Sequence, residues 1–189
     1  TAAGFTPVAL EPESQAIARA VVPAGIREPI LVADIGAVRT SLAITTGGSI
    51  VFASSLPIGG GDIESAIARG FGVSPAKARA IKIDAGLDAS RHGGTVRESV
   101  SGLLEKFSAG LADAIRSREG PSVSAVYLCG GDANLIGLGK YLTVALKRPV
   151  MLADPFANAA LAPGAVPPIP RADALRYAAA IGLALRGIP

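Results

Sequence analysis

The stretch ILVADIGAVRTSLAI, residues 30 to 44, constrains the fold more than any other part of this chain. ILVADI is an apolar run of strand length, RTSLAIT alternates with a period of two, and GGS makes a tight turn into IVFASSLPI. These patterns predict three consecutive strands in an antiparallel meander. The first strand carries Asp34 near its end, followed by Gly36. A carboxylate in an apolar run is costly to bury without a partner, so whatever meets Asp34 is the first question about function.

Composition removes several classes of answer. Half of the 189 residues are apolar, enough for a packed core. Charges, Pro or Gly interrupt each apolar run before the roughly 18 residues needed to cross a bilayer. A single cysteine, Cys129, excludes an internal disulfide framework, and with His92 as the one histidine no Cys/His metal cluster can form. That cysteine usage fits a reducing cytoplasm. A net charge of +3, no Trp, five Phe and three Tyr give no footprint for nucleic-acid binding. His92 sits in the loop DASRHGGTVRES without a nucleophile cluster and is expected at the surface, so no hydrolase is indicated.

After the meander the period changes. The segment GDIESAIARGFG places Ile63, Ala66, Ile67 and Phe71 on one helix face and ends at Gly72. In SPAKARAIKI, Ser74 is the expected N-cap and Pro75 the first helical residue. From Thr95 to Ser117 a longer helix is predicted with Val96, Val100, Leu103, Leu104, Phe107, Leu111 and Ile115 inward. Near the amino terminus, FTPVALEPESQAIARAVVP reads as a short extended piece and one amphipathic helix. The chain starts at Thr1 without Met or a signal-peptide pattern, and it reads as a fragment of something longer.

VSAVYLCGGDANLIGLGKYLTVALKRPVMLADP predicts a strand over 123 to 129, a double-glycine turn, a helix on Leu135, Leu138, Leu142 and Leu146, and a short strand. The residues allow Asp132 or Asn134 as N-cap of that helix. A glycine turn into a helix start would present backbone N–H groups to a phosphate or nucleotide. Past a Pro/Ala-rich loop, ADALRYAAAIGLALRGIP predicts a closing helix with Leu175, Ala178, Ala179, Gly182 and Leu183 in close-packing positions. The strands together predict a mixed sheet of about five, the first three antiparallel and the 123 to 129 strand at its centre.

Taken in order, VADIGAVRTSLAI, LPIGGGDIESAIARGFGVSPAKARAIK, VYLCGGDANLIGLGKYL, PVMLADPFANA and YAAAIGLALRG resemble actin-like ATPase-fold proteins. The likeness is nearest to the PilM family of cytoplasmic type IV pilus assembly proteins and next to the FtsA cell-division family, over about residues 8 to 188. The resemblance implies an α/β ribonuclease-H-like, actin-type domain: a five-stranded mixed sheet with flanking helices and a small outer insertion. It divides the chain into a linking helix segment, 1–27, from a first half not present here; an inner part, 28–60 and 120–189; and an outer part, 61–119.

By the same resemblance, Asp34 holds a hydrated Mg²⁺ beside nucleotide phosphates, and Gly36 lets the backbone approach. Cofactor contacts are implied for Asp34, Gly36, Arg39, Thr40, Gly59, Gly60, Lys82, Gly130, Gly131 and Ala133, with Asp34 as the metal residue. The resemblance also implies that Ala133 and Asn134 open the helix behind the double-glycine turn. The residues themselves leave alternatives open. Asp34 can equally be a strand-end Asp bonded to nearby backbone amides, and Gly130 and Gly131 can simply permit a close turn. Related proteins often carry Ala-Glu-x-x-Lys at the ribose. Here the pattern is Ala78, Arg79, Ala80, Ile81, Lys82, so the lysine is kept while a donor-only Arg replaces the accepting carboxylate. ATP and Mg²⁺ are accordingly an expectation for the full-length protein and not for this fragment.

Two classes of function follow. One is a non-enzymatic scaffold of a type IV pilus or related secretion machine. It would be cytoplasmic and peripheral to the inner membrane, engaging other assembly proteins, among them the cytoplasmic tail of an inner-membrane component, with self-association and without nucleic acid. The other is an actin-fold ATPase or sugar-kinase-like phosphotransferase of which this is the nucleotide-contacting half. Two surface expectations accompany both: an exposed edge of Gly36, Gly59, Gly60 and Gly131, and an uncharged apolar segment from Phe156 to Pro170 that either packs back or forms a contact.

Overall fold

The computed structural model describes residues 4, 6–7, 9–117, 122–160 and 169–187. A five-stranded mixed sheet forms its centre, in the order β3-β2-β1-β4-β5. β1 (Ile30–Ile35), β2 (Thr40–Thr46) and β3 (Ser49–Leu56) are the antiparallel meander, and β4 (Ala125–Cys129) and β5 (Val150–Leu152) run parallel to β1. The middle strand is therefore β1, and the strand near 123 to 129 lies one place off centre. Both are short, mostly apolar runs, ILVADI and AVYLC, and that pattern does not distinguish a central place from its neighbour. The difference comes from β5, whose three residues add only one strand beyond β4 while β2 and β3 add two on the other side.

β1 is buried at Ile30, Leu31, Val32, Ala33 and Ile35 irrespective of which face each residue points to, so helices cover both faces of the sheet. α1 (Glu13–Val21) packs with α7 (Ala178–Ala184), while α2 (Gly60–Phe71), α3 (Pro75–Ala85), α4 (Thr95–Arg116) and α5 (Leu138–Leu146) form the other group. A single apolar cluster joins Ile63 and Ile67 of α2, Val100, Leu104 and Leu111 of α4, and Leu31 and Val126 of the sheet. α4 crosses between β3 and β4 along its expected stripe, with Leu103 and Ile115 only partly buried.

Local signals set the end of α2 and the start of α3. Gly72 closes α2 in the left-handed conformation, at φ 60°, and Ser74 Oγ accepts from the Lys77 amide at the start of α3. α5 differs from expectation. It begins at Leu138 behind Gly137, and residues 131 to 137 are turns and irregular backbone, so neither Ala133 nor Asn134 opens a helix. Gly137 at φ 82° stops the helix from extending backwards.

The closing helix is also interrupted. α6 (Arg171–Ala174) passes into a 3₁₀ turn over Leu175–Tyr177 before α7. Leu175, Ala178 and Gly182 are buried as expected, but Leu183 is half exposed because the face of α7 that meets α1 is the one carrying Gly182. Arg19 of α1 donates to the Gly182 carbonyl at 2.8 Å and holds Glu11 through two hydrogen bonds of 2.6 and 2.7 Å. The start of the Pro/Ala-rich segment packs back: Asn158 Nδ2 donates to the carbonyls of Arg19 and Val22, and its Oδ1 accepts from the Ala24 amide. Residues 161–168 of that segment lie outside the described residues.

Candidate functional site

Asp34 stands where β1 is flanked on both sides, opposite Ser41 of β2 and Cys129 of β4. Its carboxylate is half buried. Cys129 Sγ lies 4.0 Å from Oδ1, a weak thiol contact, and among the described residues no Lys or Arg forms an ion pair with it. The backbone amides that could have satisfied a strand-end Asp bond elsewhere: Gly36 N–H donates to the Arg39 carbonyl at 3.0 Å and Asp132 N–H to the Ile35 carbonyl at 3.1 Å. Burial pushes the Asp34 carboxyl above its ordinary range, and the charge of Glu13 pushes the same way. Gly130 backs this position at φ 90°, and a Cβ there would stand 2.5 Å from Asp34 Oδ1. Glycine is thus required at 130 both by conformation and by the closeness of the carboxylate.

The start of α2 docks onto the turn after β1. Gly60 and Gly61 N–H groups donate to the carbonyls of Gly36 and Ala37 at 2.9 and 2.7 Å, and the Gly59 N–H donates to Asp62 Oδ2 at 2.8 Å. A Cβ on Gly59 would lie 2.6 Å from the Ala37 carbonyl. These glycines let two backbones touch, and three amides at this helix start are consumed within the protein. Gly59 and Gly60 are consequently buried and Gly36 partly so; of the four glycines expected to form an exposed edge, Gly131 is exposed. Arg39 points to solvent, whereas Thr40 is fully buried with its hydroxyl donating to the Ile58 carbonyl at 2.8 Å.

Lys82 is the hub between these parts. Its ammonium donates to Glu64 Oε1 and Asp132 Oδ1, both at 2.6 Å, and to the Gly60 carbonyl at 3.3 Å. The lysine is 7% exposed, so its three donors are used internally. Asp132 reaches it because Gly60 has no side chain: a Cβ would fall 2.0 Å from the carboxylate. Sequence reasoning did not find Glu64 and Asp132 as partners of Lys82. Asp132 read as a helix cap, and the signal that separates the two roles is the unexplained glycine run at 59 to 61 that leaves room for its carboxylate.

An open cleft of about 570 Å³ lies beside the hub, lined by Arg79, Lys82, Gly131, Asp132, Asn134 and Arg176 among others. Asn134 is fixed by a 2.6 Å bond from Nδ2 to the Ala172 carbonyl, and Ala133 is buried behind the turn. The structure thus gathers Asp34 with Gly130, Gly36 with Gly59 and Gly60, and Lys82 with Gly60 and the cleft that Gly131 lines. Of the ten residues expected at a nucleotide, Lys82 and Gly131 line that cleft; Asp34, Gly36, Arg39, Thr40, Gly59, Gly60, Gly130 and Ala133 do not. Among the described residues no group of three or more His, Cys, Asp or Glu could hold a metal by itself, so Asp34 could take part only in a hydrated ion's shell.

A family model described as type IV pilus assembly protein PilM matches residues 2–188. The solved PilM-PilN type IV pilus biogenesis complex contains a chain 26% identical to this one, with a TM-score of 0.77 over 97% of this chain and 54% of that one. The ethanolamine utilization protein EutJ from Carboxydothermus hydrogenoformans is 26% identical with a TM-score of 0.62, covering 76% of this chain and 49% of that chain. MreB 5 of Spiroplasma citri, solved with bound AMPPNP, reaches a TM-score of 0.73 at 17% identity, over 96% of this chain and 60% of that chain. At that identity the likeness concerns the fold alone, which is actin-like. The chain spans about half the length of the pilus and EutJ chains it matches.

Proposed function

The chain belongs to the family of type IV pilus assembly protein PilM, and on that premise we propose that it acts as an actin-fold scaffold of pilus assembly, working by holding partners and not by turnover. The observation that carries this reading is the internal use of the polar groups a catalyst would need free. Lys82 is tied to Glu64, Asp132 and Gly60, and the amides of Gly59, Gly60 and Gly61 bond within the fold. Among the described residues that line the cleft there is no Ser, Thr, Cys or His.

The scaffold would engage a membrane-anchored assembly component from the cytoplasmic side; that PilM is paired with PilN in the solved type IV pilus biogenesis complex supports a protein partner. No helix among the described residues is long and apolar enough to cross a membrane.

ATP and Mg²⁺ fit part of this half. The carboxylate of Asp34, without a cationic partner among the described residues, suits a hydrated Mg²⁺, and the cleft beside Gly131 has room for a nucleoside. The ribose end fits less well, since Arg79 stands where an accepting carboxylate would be wanted and Lys82 is already engaged. Mg-ATP, when bound, would supply a phosphoanhydride bond to be cleaved. Gly130 and Asp34 would orient the metal side, and Gly131 would border the base.

Phosphate release and calorimetry with Mg-ATP test the choice between scaffold and phosphotransferase. The scaffold reading expects no release above background, and affinity for this 189-residue chain no better than about 1 mM, because half a phosphate clamp lacks the effective concentration of the other half. Sustained turnover by the full-length protein, lost in Asp34→Ala, would replace the scaffold with the enzyme.

A further inference from the structure

On the side of the molecule formed by α5 and the α3–α4 connection lies a second groove, of about 630 Å³, that shares no lining residue with the cleft beside Lys82. Its floor is apolar: Leu87, Ile136, Tyr141 and Val144 line it, with Ile136 44% and Val144 74% exposed. Large aliphatic side chains this open, set together in a concavity, are what an interaction site leaves uncovered. Arg97 from the first turn of α4 and Lys140 of α5 also line it, and neither forms an ion pair among the described residues. The one acidic residue in the lining, Asp88, already accepts from the Ser90 amide and hydroxyl at 2.9 and 2.7 Å and lies 3.8 Å from Arg91. The unspent charge in the groove is therefore positive.

The groove is also held in shape before anything binds. The Leu87 N–H donates to the Ile136 carbonyl at 2.8 Å, and Gly86 and Gly137, at φ 53° and 82°, bring the two turns into contact. A Cβ on Gly86 would lie 2.6 Å from Ile136, and one on Gly137 would lie 3.2 Å from Leu87. A site ordered in advance loses less entropy on binding.

We propose that this groove docks a short acidic segment of a partner protein, an aliphatic side chain seated among Leu87, Ile136 and Val144 with flanking carboxylates on Arg97 and Lys140. Charge complementarity selects the acidic partner. The concave shape selects a polypeptide over an anionic membrane, which would meet a convex basic and apolar face. The inference rests on this groove alone, so its failure leaves the pilus assignment untouched.

Selection of random short peptides displayed against the purified chain, followed by anisotropy titration of the enriched sequences, tests it. Enriched peptides should combine Asp or Glu with Leu, Ile, Val or Phe, and Val144→Glu and Lys140→Glu should each weaken them about tenfold or more. Both positions are exposed, so the variants should keep the thermal midpoint of the parent. The absence of binders, or binders indifferent to both substitutions, would overturn the proposal. So would binding to phosphatidylglycerol vesicles that the same substitutions remove, or a concentration-dependent dimer lost in Val144→Glu, since each would name a different occupant.

Discussion

The ammonium of Lys82 lies 2.6 Å from Oδ1 of Asp132, although fifty residues separate them in the chain. With Glu64 on its other side at 2.6 Å, this lysine ties α2, α3 and the turn after β4 together. Lys82→Met would leave two carboxylates near each other without a cation. The loss should be about 2 to 3 kcal/mol, below the full cost of breaking a buried pair because both carboxylates keep some water. The double variant Lys82→Met/Asp132→Asn should lose less than the single one. Urea unfolding measures both, and an unchanged midpoint for Lys82→Met would remove the hub from the account.

Of the glycines among the described residues, Gly182 is the most tightly packed: an added Cβ would meet the Ala16 carbonyl oxygen at 1.7 Å. Gly182→Ala should force α7 off α1 and cost more than about 2 kcal/mol, at the upper end of ordinary overpacking, because the obstacle is backbone and cannot swing aside. Gly187→Ala, with open space around it, is the control and should be neutral. Equal midpoints for the two variants would mean the helices do not meet as described.

How much of this was legible in the sequence depends on the range of the interaction. The meander, α2 with its Gly72 end and α3 with Ser74 and Pro75 follow from neighbours a few residues apart, and they formed as read. The start of α5 did not, because apolar spacing at Leu135 continues the helical pattern backwards while Gly137 blocks the helix itself. The place of β1 at the sheet centre depends on how many strands add to each side, which no local pattern encodes. At the site, Asp34 and the glycines could be singled out from their strand ends and turns. The burial of Gly59 and Gly60 could not, since it results from docking onto Gly36 and Ala37, and the Asp132 to Lys82 pairing spans three elements.

Asp34 makes a pH prediction. Burial holds its folded carboxyl above the unfolded value, so between those two values the folded state binds more protons than the unfolded one and stability falls as pH rises. The charged form is thus a cost that is absent below the unfolded value and complete above the folded one. Asp34→Asn should be more stable than the parent at neutral pH, and the difference should vanish in acid below the ordinary Asp range. Thermal melts across pH measure it; a variant less stable than the parent at neutral pH would show that the carboxylate has a strong partner.

Cys129 should be inert. It is fully buried at the end of β4, and burial pushes its thiol well above the usual range, with the charge of Asp34 adding to the effect. A colorimetric thiol reagent should label it only as fast as the chain unfolds, and denaturant should bring labelling to one equivalent. Rapid labelling of the native protein would mean that the strand end opens far more readily than its packing allows.

The proposed scaffold role places the protein inside pilus assembly. Surface pili are counted by electron microscopy in a strain deleted for its gene and in the same strain carrying the gene back. Deletion should abolish surface pili while the pilin subunit is still made, and the parent gene should restore them. A deletion strain that piliates normally would contradict that role.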